Sequence, residues 1–282
     1  MKMRIKYTAK APISHIGEVA SIGSYFNMIK TSNGNIPIVT GNSVRGILRD
    51  SGAKVLLDTL GTAVSKDTFH ILFSGGNLNG TLKEDVEKTK NIRKHFPIVS
   101  LLGGGLGDQI MSGKIMVGNL YPLCEETYEM LDETFTDISW KNLISEIEFT
   151  RTDDSKSDVL SKYITDITKE KTAKASTQMR YSVQYMAVGT VFIQDIYVSE
   201  TITDLELGAL YSAFSQWFKT PILGGMANKG FGTFSAETDF GIEVNNGIVT
   251  INDEAKKYIN EYLNFVVNEG TSFFELFEGK KK

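Results

Sequence analysis

Residues 38–49, IVTGNSVRGILR, decide the fold, because they run from the end of a strand through a glycine turn into a helix. Apolar residues recur at helical spacing after Ser43 and predict a helix that continues to about Leu60. The start of a helix leaves unpaired N–H groups and the positive end of its dipole. Because Arg45 and Arg49 lie four residues apart, they project from one face of this helix, either into solvent or onto a bound phosphate.

A second glycine-rich stretch, residues 224–232 with the sequence GGMANKGFG, follows a predicted helix and precedes a predicted strand. Lys229 stands between glycines there, so backbone N–H groups and a cation can converge on a phosphate, although a plain turn has the same composition. Two glycine-rich elements with basic residues favour an anionic backbone as the ligand, and RNA fits this pattern best.

The composition is that of a globular protein with a sizeable core. The chain has 282 residues, 41% of them hydrophobic, and no stretch reads as a linker, so we predict a single domain over residues 1–282. The single cysteine, Cys124, excludes an intramolecular disulfide and a cysteine-based zinc cluster. No apolar run resembles a signal peptide or is long enough to span a bilayer, which predicts a cytoplasmic protein with no membrane partner.

Charge is unevenly distributed along the chain. The net charge of −4 argues against nucleic acid as a ligand, but residues 169–180 contain four basic residues and one acidic residue. Local patches, rather than net charge, decide whether a groove attracts phosphate. This basic stretch belongs to a polar insertion, residues 149–186. The insertion predicts a projecting arm that neutralises phosphates and wedges between bases, or else an exposed loop of nearly the same composition.

The order of the predicted elements indicates the fold class. We predict a strand at 3–7, a loop at 12–24, a hairpin around Asn33-Gly34 with strands at 25–30 and 36–39, the helix at 43–60, polar helices over 65–100, a flexible loop at 100–107, strands at 114–121 and 187–198, a helix capped by Thr203 or Asp204, strands over 233–251 and an amphipathic helix at 254–268. This is the βαββαβ pattern of an α+β, modified ferredoxin-like (RRM-like) palm with large insertions at 61–113 and 149–186.

Four motifs follow one another along the chain: Ser14-His15-Ile16-Gly17, residues 36–49, residues 97–103 (PIVSLLG) and residues 224–232. In this order they resemble the RAMP superfamily, and most closely the backbone subunits of class 1 CRISPR effector complexes. Members of that family carry a His-x-Gly, a Pro-x-x-x-Gly-Ser-x-Arg/Lys-Gly-x-Arg and a terminal glycine-rich loop. The stretch at 97–103 looks like the type IV branch in particular.

The resemblance implies a palm of the RNA-recognition type, with the arm as a projecting thumb, that polymerises along a CRISPR guide RNA. The partners that it implies are guide RNA, complementary target DNA or RNA, other copies of the chain and other CRISPR effector subunits. We expect no cofactor.

The residues that we expect to bind RNA lie in the helix start, the arm and the second glycine loop, together with one histidine. They are His15, Asn42, Ser43, Arg45, Arg49, Lys169, Lys171, Lys174, Met179, Arg180, Gly225, Asn228, Lys229 and Gly230. For His15 a hydrogen-bonding role in a loop beside RNA is favoured over catalysis, because no second histidine lies near it in sequence. Three scattered histidines and one cysteine predict no metal site.

A non-catalytic scaffold and an RNA-cleaving enzyme are the two main alternatives. In type III backbone relatives an aspartate in the loop after the His-x-Gly motif cleaves target RNA. Here Glu18 is the only acidic residue between His15 and Gly41, and residues 24–35 contain no carboxylate. The sequence therefore favours a scaffold without catalytic residues. A small-molecule enzyme on the same fold is a third alternative, but no paired titratable groups support it.

Overall fold

The computed structural model describes residues 1–19, 23–77, 86–105, 109–151 and 179–278. Over these residues the strands are β1 (Lys2–Ala9), β2 (Ile16–Val19), β3 (Gly23–Phe26), β4 (Met28–Thr31), β5 (Gly34–Pro37), β6 (Gly104–Gly105), β7 (Ile110–Met111), β8 (Ile115–Val117), β9 (Tyr121–Pro122), β10 (Ile144–Arg151), β11 (Met179–Met186), β12 (Val191–Val198), β13 (Phe234–Thr238), β14 (Ile242–Asn245) and β15 (Ile248–Ile251). The helices are α1 (Gly41–Leu60), α2 (Lys66–Ser74), α3 (Val86–His95), α4 (Pro97–Leu102), α5 (Asp204–Phe218) and α6 (Asp253–Glu278).

The main sheet has seven antiparallel strands in the order β15-β14-β13-β1-β12-β8, and β9 also pairs with β12. Side chains alternate between its two faces, as the apolar-polar pattern of β1 predicts. Met3, Ile5 and Tyr7 are buried on one face, whereas Arg4 and Lys6 lie on the other. The sheet together with the helices confirms the predicted α+β class.

Helices α1 and α5 cover the face that carries Met3, Ile5 and Tyr7, and α4 and α6 pack against them. The glycine at 208 sets the distance between α5 and α6, because a Cβ there would collide with the carbonyl oxygen of Tyr258. Gly52 of α1 has a similar role, since an added Cβ would lie 2.5 Å from the side chain of Ile98 in α4. The small residues of α1 therefore admit another helix.

A second sheet has the strand order β10-β11-β3-β2, with β11 and β3 parallel. The hairpin formed by β10 and β11 is the base of the predicted arm, and its 27-residue tip, residues 152–178, lies outside the described residues. The hairpin joins the rest of the protein at Ile13 and Met186, whose backbones exchange hydrogen bonds of 3.0 and 2.8 Å. Val183 and Met186 are buried, so this part of the arm has more core character than its sequence predicts.

Residues 123–142 cross the face of the main sheet that α1 and α5 leave open. The Leu123 N–H donates to the Val191 carbonyl oxygen at 2.8 Å, and the Arg4 guanidinium binds Glu133 at 3.2 Å. Arg4 also binds Asp195 of the neighbouring strand β12, with the two nearest atoms 2.8 Å apart. These contacts hold the segment against the sheet, where Ile193 becomes buried.

Several predicted boundaries are confirmed. The β4–β5 hairpin turns at Ser32-Asn33, and Gly34, the first residue of β5, has a φ of +106°. Helix α1 ends at Gly61, a left-handed cap with a φ of +61° whose N–H donates to the Leu57 carbonyl oxygen. Thr203 caps α5 through a reciprocal pair of hydrogen bonds with Glu206.

Other predicted elements are wrong in part. The predicted loop at 12–24 contains β2, and the predicted strand at 25–30 divides at Asn27, where the chain passes from one sheet to another. The predicted strand at 114–121 divides into β8 and β9 around Gly118. The predicted flexible loop at 100–107 begins inside α4 and continues into β6, β12 begins at Val191 rather than at residue 187, and α6 continues ten residues past its predicted end. At Asn27 and Gly118 the breaks coincide with backbone hydrogen bonds to distant residues, His15 and Asp195, which local sequence does not reveal.

Candidate nucleic-acid interface

The second glycine loop packs against the segment that carries the His-x-Gly motif. The Gly225 N–H donates to the Ser14 carbonyl oxygen at 2.7 Å, and the Gly232 N–H donates to the Pro12 carbonyl oxygen at 2.9 Å. Gly224 has a φ of +80°, and a Cβ there would collide with the same Ser14 carbonyl. Glycine is therefore required at this position on both conformational and steric grounds. Two motifs that lie about two hundred residues apart in sequence thus form one surface.

His15 joins this surface to the start of α1. Its Nε2 accepts a hydrogen bond from the Thr40 N–H at 3.2 Å and lies 3.1 Å from the Thr40 hydroxyl. A nitrogen that accepts from an N–H carries no proton, so the neutral ring is protonated on Nδ1. Burial lowers the pKa of His15 and favours this neutral form. The role of His15 in the described contacts is to position the helix start.

The first turn of α1 carries polar side chains and no negative charge. The Thr40 hydroxyl lies 3.0 Å from the Ser43 hydroxyl, and the Gly41 N–H donates to the Asn119 side-chain oxygen at 2.9 Å. Asn42 is exposed, and the first turn contains no acidic residue. The positive end of the helix dipole is therefore not neutralised by a carboxylate of its own turn.

Arg45 and Arg49 share one helix face, as predicted, and both reach the C-terminal end of α4. Each donates through Nη2 to the Leu102 carbonyl oxygen, and Arg49 also donates to the Gly103 carbonyl oxygen at 3.0 Å. These are the carbonyls that a helix end leaves unpaired, so the two cations cap α4. Both arginines therefore project from one helix face as expected, but carbonyl oxygens of the same chain orient their side chains.

The arginine pair forms no ion pair within the described residues, although the nearby Asp50 carboxylate partly offsets the charge of Arg49. The buried Nε of Arg45 has no hydrogen-bond partner among those residues. Burial, followed by the nearby charge of Arg45, lowers the pKa of Arg49 to about 10. Arg49 therefore remains a cation at neutral pH, beside the guanidinium of Arg45.

The tip of the glycine loop lies on the hairpin of β10 and β11. The Lys229 ammonium lies 4.1 Å from the ring centroid of Phe149 and 4.6 Å from that of Tyr181, and it donates to the Tyr181 hydroxyl. The two rings stack on each other across the hairpin with their centroids 5.5 Å apart. A cation over a ring face is attracted by the ring quadrupole, so the loop and the arm base are connected at this point.

Phe231 and Tyr185 complete an aromatic cluster beside Lys229. Their ring centroids are 5.9 Å apart, and Phe231 lies 6.4 Å from Phe149. Sequence reasoning did not select Phe149 or Tyr185 as functional residues. The signal that would have found Tyr185 is the alternation of Tyr181, Val183 and Tyr185 along β11, which places all three side chains on one face.

Four of the remaining predicted residues lie at the tip of the glycine loop or in the β10–β11 hairpin. Asn228 and Gly230 are exposed at the tip of the glycine loop, and Arg180 is exposed in β11 opposite Thr150. Met179 pairs through its backbone with Arg151 in the same hairpin. The predicted basic residues Lys169, Lys171 and Lys174 lie outside the described residues.

Metal ligands and membrane-spanning helices are the remaining features that bear on the kind of site. Within the described ranges, no group of three or more His, Cys, Asp or Glu side chains is arranged to hold a metal ion. No helix in the described part of the chain has the length and apolar character needed to cross a membrane.

Comparison with known proteins identifies the family. The family model of the RAMP superfamily matches residues 6–235, and the chain therefore belongs to the RAMP superfamily. A search of curated protein sequences found no match. Among solved structures, a chain from a structure titled "Type IV-B CRISPR Complex" is similar, with a TM-score of 0.59 and 16% identity over 84% of this chain and 90% of that one. At this identity the likeness shows a shared fold.

Proposed function

We propose that this protein is a non-catalytic backbone subunit of a class 1 CRISPR effector complex of the type IV branch, and that it binds guide RNA. In this proposal several copies assemble along one CRISPR RNA and present its bases to complementary DNA or RNA. Membership of the RAMP superfamily and the fold shared with a chain of a Type IV-B CRISPR complex support the role.

The convergence of three motifs is the observation that carries the proposal. Hydrogen bonds connect the glycine loop to Ser14, and His15 connects that segment to Thr40 at the start of α1. The surface so formed combines the positive end of the α1 dipole, glycines that permit close approach, and the Lys229 cation. These are the groups that bind phosphate oxygens without reading base sequence.

The arginine pair extends this surface along α1. Arg45 follows Thr40 by five residues, which corresponds to about 7.5 Å of helix rise. The arginine pair forms no ion pair among the described residues, and its positive charge fits a phosphate as an anionic partner. We propose that successive phosphates contact the glycine loop and the arginine pair, while the aromatic cluster of Phe149, Tyr181, Tyr185 and Phe231 supports the arm.

The palm of the proposed subunit is a modified ferredoxin-like unit. Its elements in chain order are β1, α1, β8, β12, α5 and β13, which is the βαββαβ order. The four strands lie side by side as β13-β1-β12-β8, with both helices on one face. The other elements are then insertions and additions to this unit, and the whole chain acts as one domain.

The experiment is recovery of bound RNA. The parent protein, expressed in cells that transcribe a CRISPR array and purified at low salt, should carry RNA of uniform length after treatment with nuclease. Lys229→Glu should remove most of this RNA, because it reverses the charge at the glycine loop, whereas Lys256→Glu on exposed α6 should not. Parent protein free of RNA, or equal recovery with Lys229→Glu, would contradict the proposal.

A cleavage assay separates the scaffold from the endoribonuclease. The assembled protein, incubated with complementary RNA and Mg²⁺, should leave the RNA intact, because residues 24–35 supply no carboxylate to position a metal or activate a nucleophile. Regularly spaced cuts that Glu18→Ala abolishes would show a nuclease instead.

A further inference from the structure

One surface of the protein is strongly acidic. Residues 123–140 contain six acidic residues and no basic one, and the rest of the chain is consequently net positive. The six are Glu125, Glu126, Glu129, Asp132, Glu133 and Asp137. Glu133 binds Arg4, and Glu126 binds Ser139, but Glu125, Glu129 and Asp137 are exposed without an ion-pair partner among the described residues. This density of negative charge repels a phosphate backbone, so the surface does not fit nucleic acid.

Exposed apolar side chains lie among these acids. Phe135 is 67% exposed, Met130 51% and Ile138 46%, although all three stand in a segment that is otherwise held firmly against the sheet. The ring of Phe135 packs edge-to-face against Tyr128, with ring centroids 5.2 Å apart. Apolar residues in a polar rim are typical of a protein–protein interface. The acidic face, defined as residues 125–138, therefore fits a basic protein surface with apolar side chains.

Helix α3 has the complementary character. Its sequence, VEKTKNIRKH, contains four residues of Lys or Arg and one acid. Lys90 and Lys94 are exposed, and Val86 is 61% exposed at the start of the helix. Arg93 anchors the helix to the protein, because its guanidinium donates to the Ser100 hydroxyl at 3.0 Å and the Ser112 carbonyl oxygen at 2.9 Å. Lys90, which pairs with Glu87 of the same helix at 3.5 Å, and Lys94 thus project from a fixed position.

The acidic face and α3 lie on opposite sides of the main sheet. Residues 125–138 cover the side that carries Arg4, whereas α3 packs on α4, which packs on α1 and α5 on the other side. Complementary surfaces on opposite sides of one molecule form a head-to-tail contact that leaves a free surface at each end. Such a contact produces an open assembly, which suits a linear ligand.

We propose that the acidic face of one copy binds helix α3 of the next copy along the RNA. The inference rests on the proposed function for the presence of RNA, but the two surfaces are assigned by their charge, exposed apolar residues and placement. The lysines of α3 lie against the acids of the neighbouring copy. Phe135 and Met130 of that acidic face lie against apolar groups that flank the lysines of α3. Opposite charges at this contact also fix the orientation of successive copies.

Charge reversal in two variants tests the pairing. The first variant, Glu125→Lys, Glu129→Lys and Asp137→Lys with Asp132→Asn, changes the net charge of residues 125–138 from −6 to +1. The second, Lys90→Glu with Lys94→Glu, changes the charge of the Lys, Arg and Glu residues of α3 from +3 to −1. Each alone opposes like charges at every contact, so its apparent affinity for an RNA that holds several copies should fall by about tenfold or more. Mixed in equal amounts, the two variants should assemble again, because both contacts of an alternating chain are then complementary. Sedimentation velocity measures the size of the assemblies.

Two controls keep the outcomes separate. Charge reversals on α6, Glu254→Lys with Glu261→Lys and Lys256→Glu with Lys257→Glu, should leave assembly as in the parent, alone and mixed. A short RNA that holds one copy should bind the parent and both variants equally. Loss of short-RNA binding by the Lys90/Lys94 variant alone would instead assign α3 to nucleic acid. Assembly of either variant alone, or no recovery on mixing, would overturn the pairing, whereas failure of the parent to bind any RNA contradicts the proposed function.

Discussion

Two charged clusters lie at the short helix α4 and differ in how their charge is compensated. In the first, the buried Glu206 carboxylate accepts hydrogen bonds from the Ser100 hydroxyl at 2.5 Å and the Lys114 ammonium at 2.8 Å. In the second, two residues further along α4, Arg45 and Arg49 converge on the Leu102 carbonyl, and no carboxylate of the described residues forms an ion pair with them.

The charges of the first cluster are paired within the protein, whereas the charges of the second have no ion-pair partner among the described residues. Burial alone would raise the pKa of Glu206, but the hydrogen bonds from Lys114 and Ser100 outweigh burial and hold its pKa below the usual range. Each charge in this cluster is used within the chain, which joins the insertion that contains α4 to the palm. The arginine pair has charge and an unpartnered Nε left over. We therefore expect the first cluster to affect stability and the second to affect RNA binding.

The largest effect is expected from Glu206→Gln. Removal of the carboxylate leaves the partly buried Lys114 ammonium without its counter-ion, which should lower the free energy of unfolding by about 3 kcal/mol. Urea denaturation measures this change. Glu261→Gln, on the exposed surface of α6, should stay within about 0.5 kcal/mol of the parent. Equal losses from the two variants would mean that the Glu206 cluster is not a structural connection.

The same cluster predicts a direction of pH dependence. Because the pKa of Glu206 is lower in the folded protein than its ordinary value of 4.5, its contribution is complete above about pH 4.5 and is lost as the pH falls through the folded value. Unfolding curves between pH 7 and pH 3 should therefore show an acid loss of stability that Glu206→Gln reduces. An unchanged acid limb in the variant would contradict this assignment.

Arg45→Ala with Arg49→Ala should lower stability less than Glu206→Gln does, and should weaken RNA binding. Loss of the cap on α4 should cost about 1–2 kcal/mol of stability. Loss of two cations should weaken RNA binding by about 1.5–3 kcal/mol for every sequence alike, as measured by fluorescence anisotropy. Arg45→Lys with Arg49→Lys keeps the charges and should retain most of the affinity. Parent-like RNA binding by the alanine variant would contradict the phosphate contact.

Phe149→Leu should have a still smaller effect. It removes one ring beneath the Lys229 ammonium but keeps an apolar side chain, and an exposed cation–π contact is worth about 0.5–1 kcal/mol. We expect a loss of that size in stability and faster hydrogen exchange in the glycine loop, measured by mass spectrometry. Ile147→Leu in the same strand is the matched control. Unchanged exchange in the loop would show that the ring does not hold it.

The smallest effect is expected from protonation of His15. Its pKa lies below the ordinary value of 6.5, so the contribution of the neutral ring is complete above about pH 6.5 and declines as the pH falls through the folded value. Protonation of Nε2 removes the acceptor of the Thr40 N–H. Hydrogen exchange at the start of α1 should therefore quicken between pH 7 and pH 5.5, after correction for intrinsic rates, and His15→Gln should abolish this extra acceleration.

Local sequence patterns predicted the elements whose signals lie within a few residues. The helix α1 with its Gly61 stop, the hairpin around Asn33-Gly34 and the Thr203 cap are of this kind, because capping and turn chemistry act between near neighbours. The strand break at Gly118 was not predicted, since it depends on a hydrogen bond from its N–H to the Asp195 carbonyl, 77 residues later in the chain.

In the candidate site, too, the local motifs were predicted from the sequence and their distant contacts were not. The motifs of the glycine loop and the helix start were predicted, as was the shared face of Arg45 and Arg49. Their partners were not, because the arginines bind carbonyls more than fifty residues away and Lys229 lies over rings of a distant hairpin. Backbone carbonyls occur at every residue, so no side-chain pattern marks the ones that cap a buried helix end.

The salt dependence of single-stranded RNA binding tests the central claim most directly. Binding of the parent to two RNAs of equal length and unrelated sequence should show one common slope of log affinity against log salt, about −0.7 per phosphate neutralised. Lys229→Met should make that slope shallower by about 0.7 for both RNAs, and Lys256→Met should leave it unchanged. Different slopes for the two RNAs, or the parent slope with Lys229→Met, would contradict a phosphate-binding surface at the glycine loop.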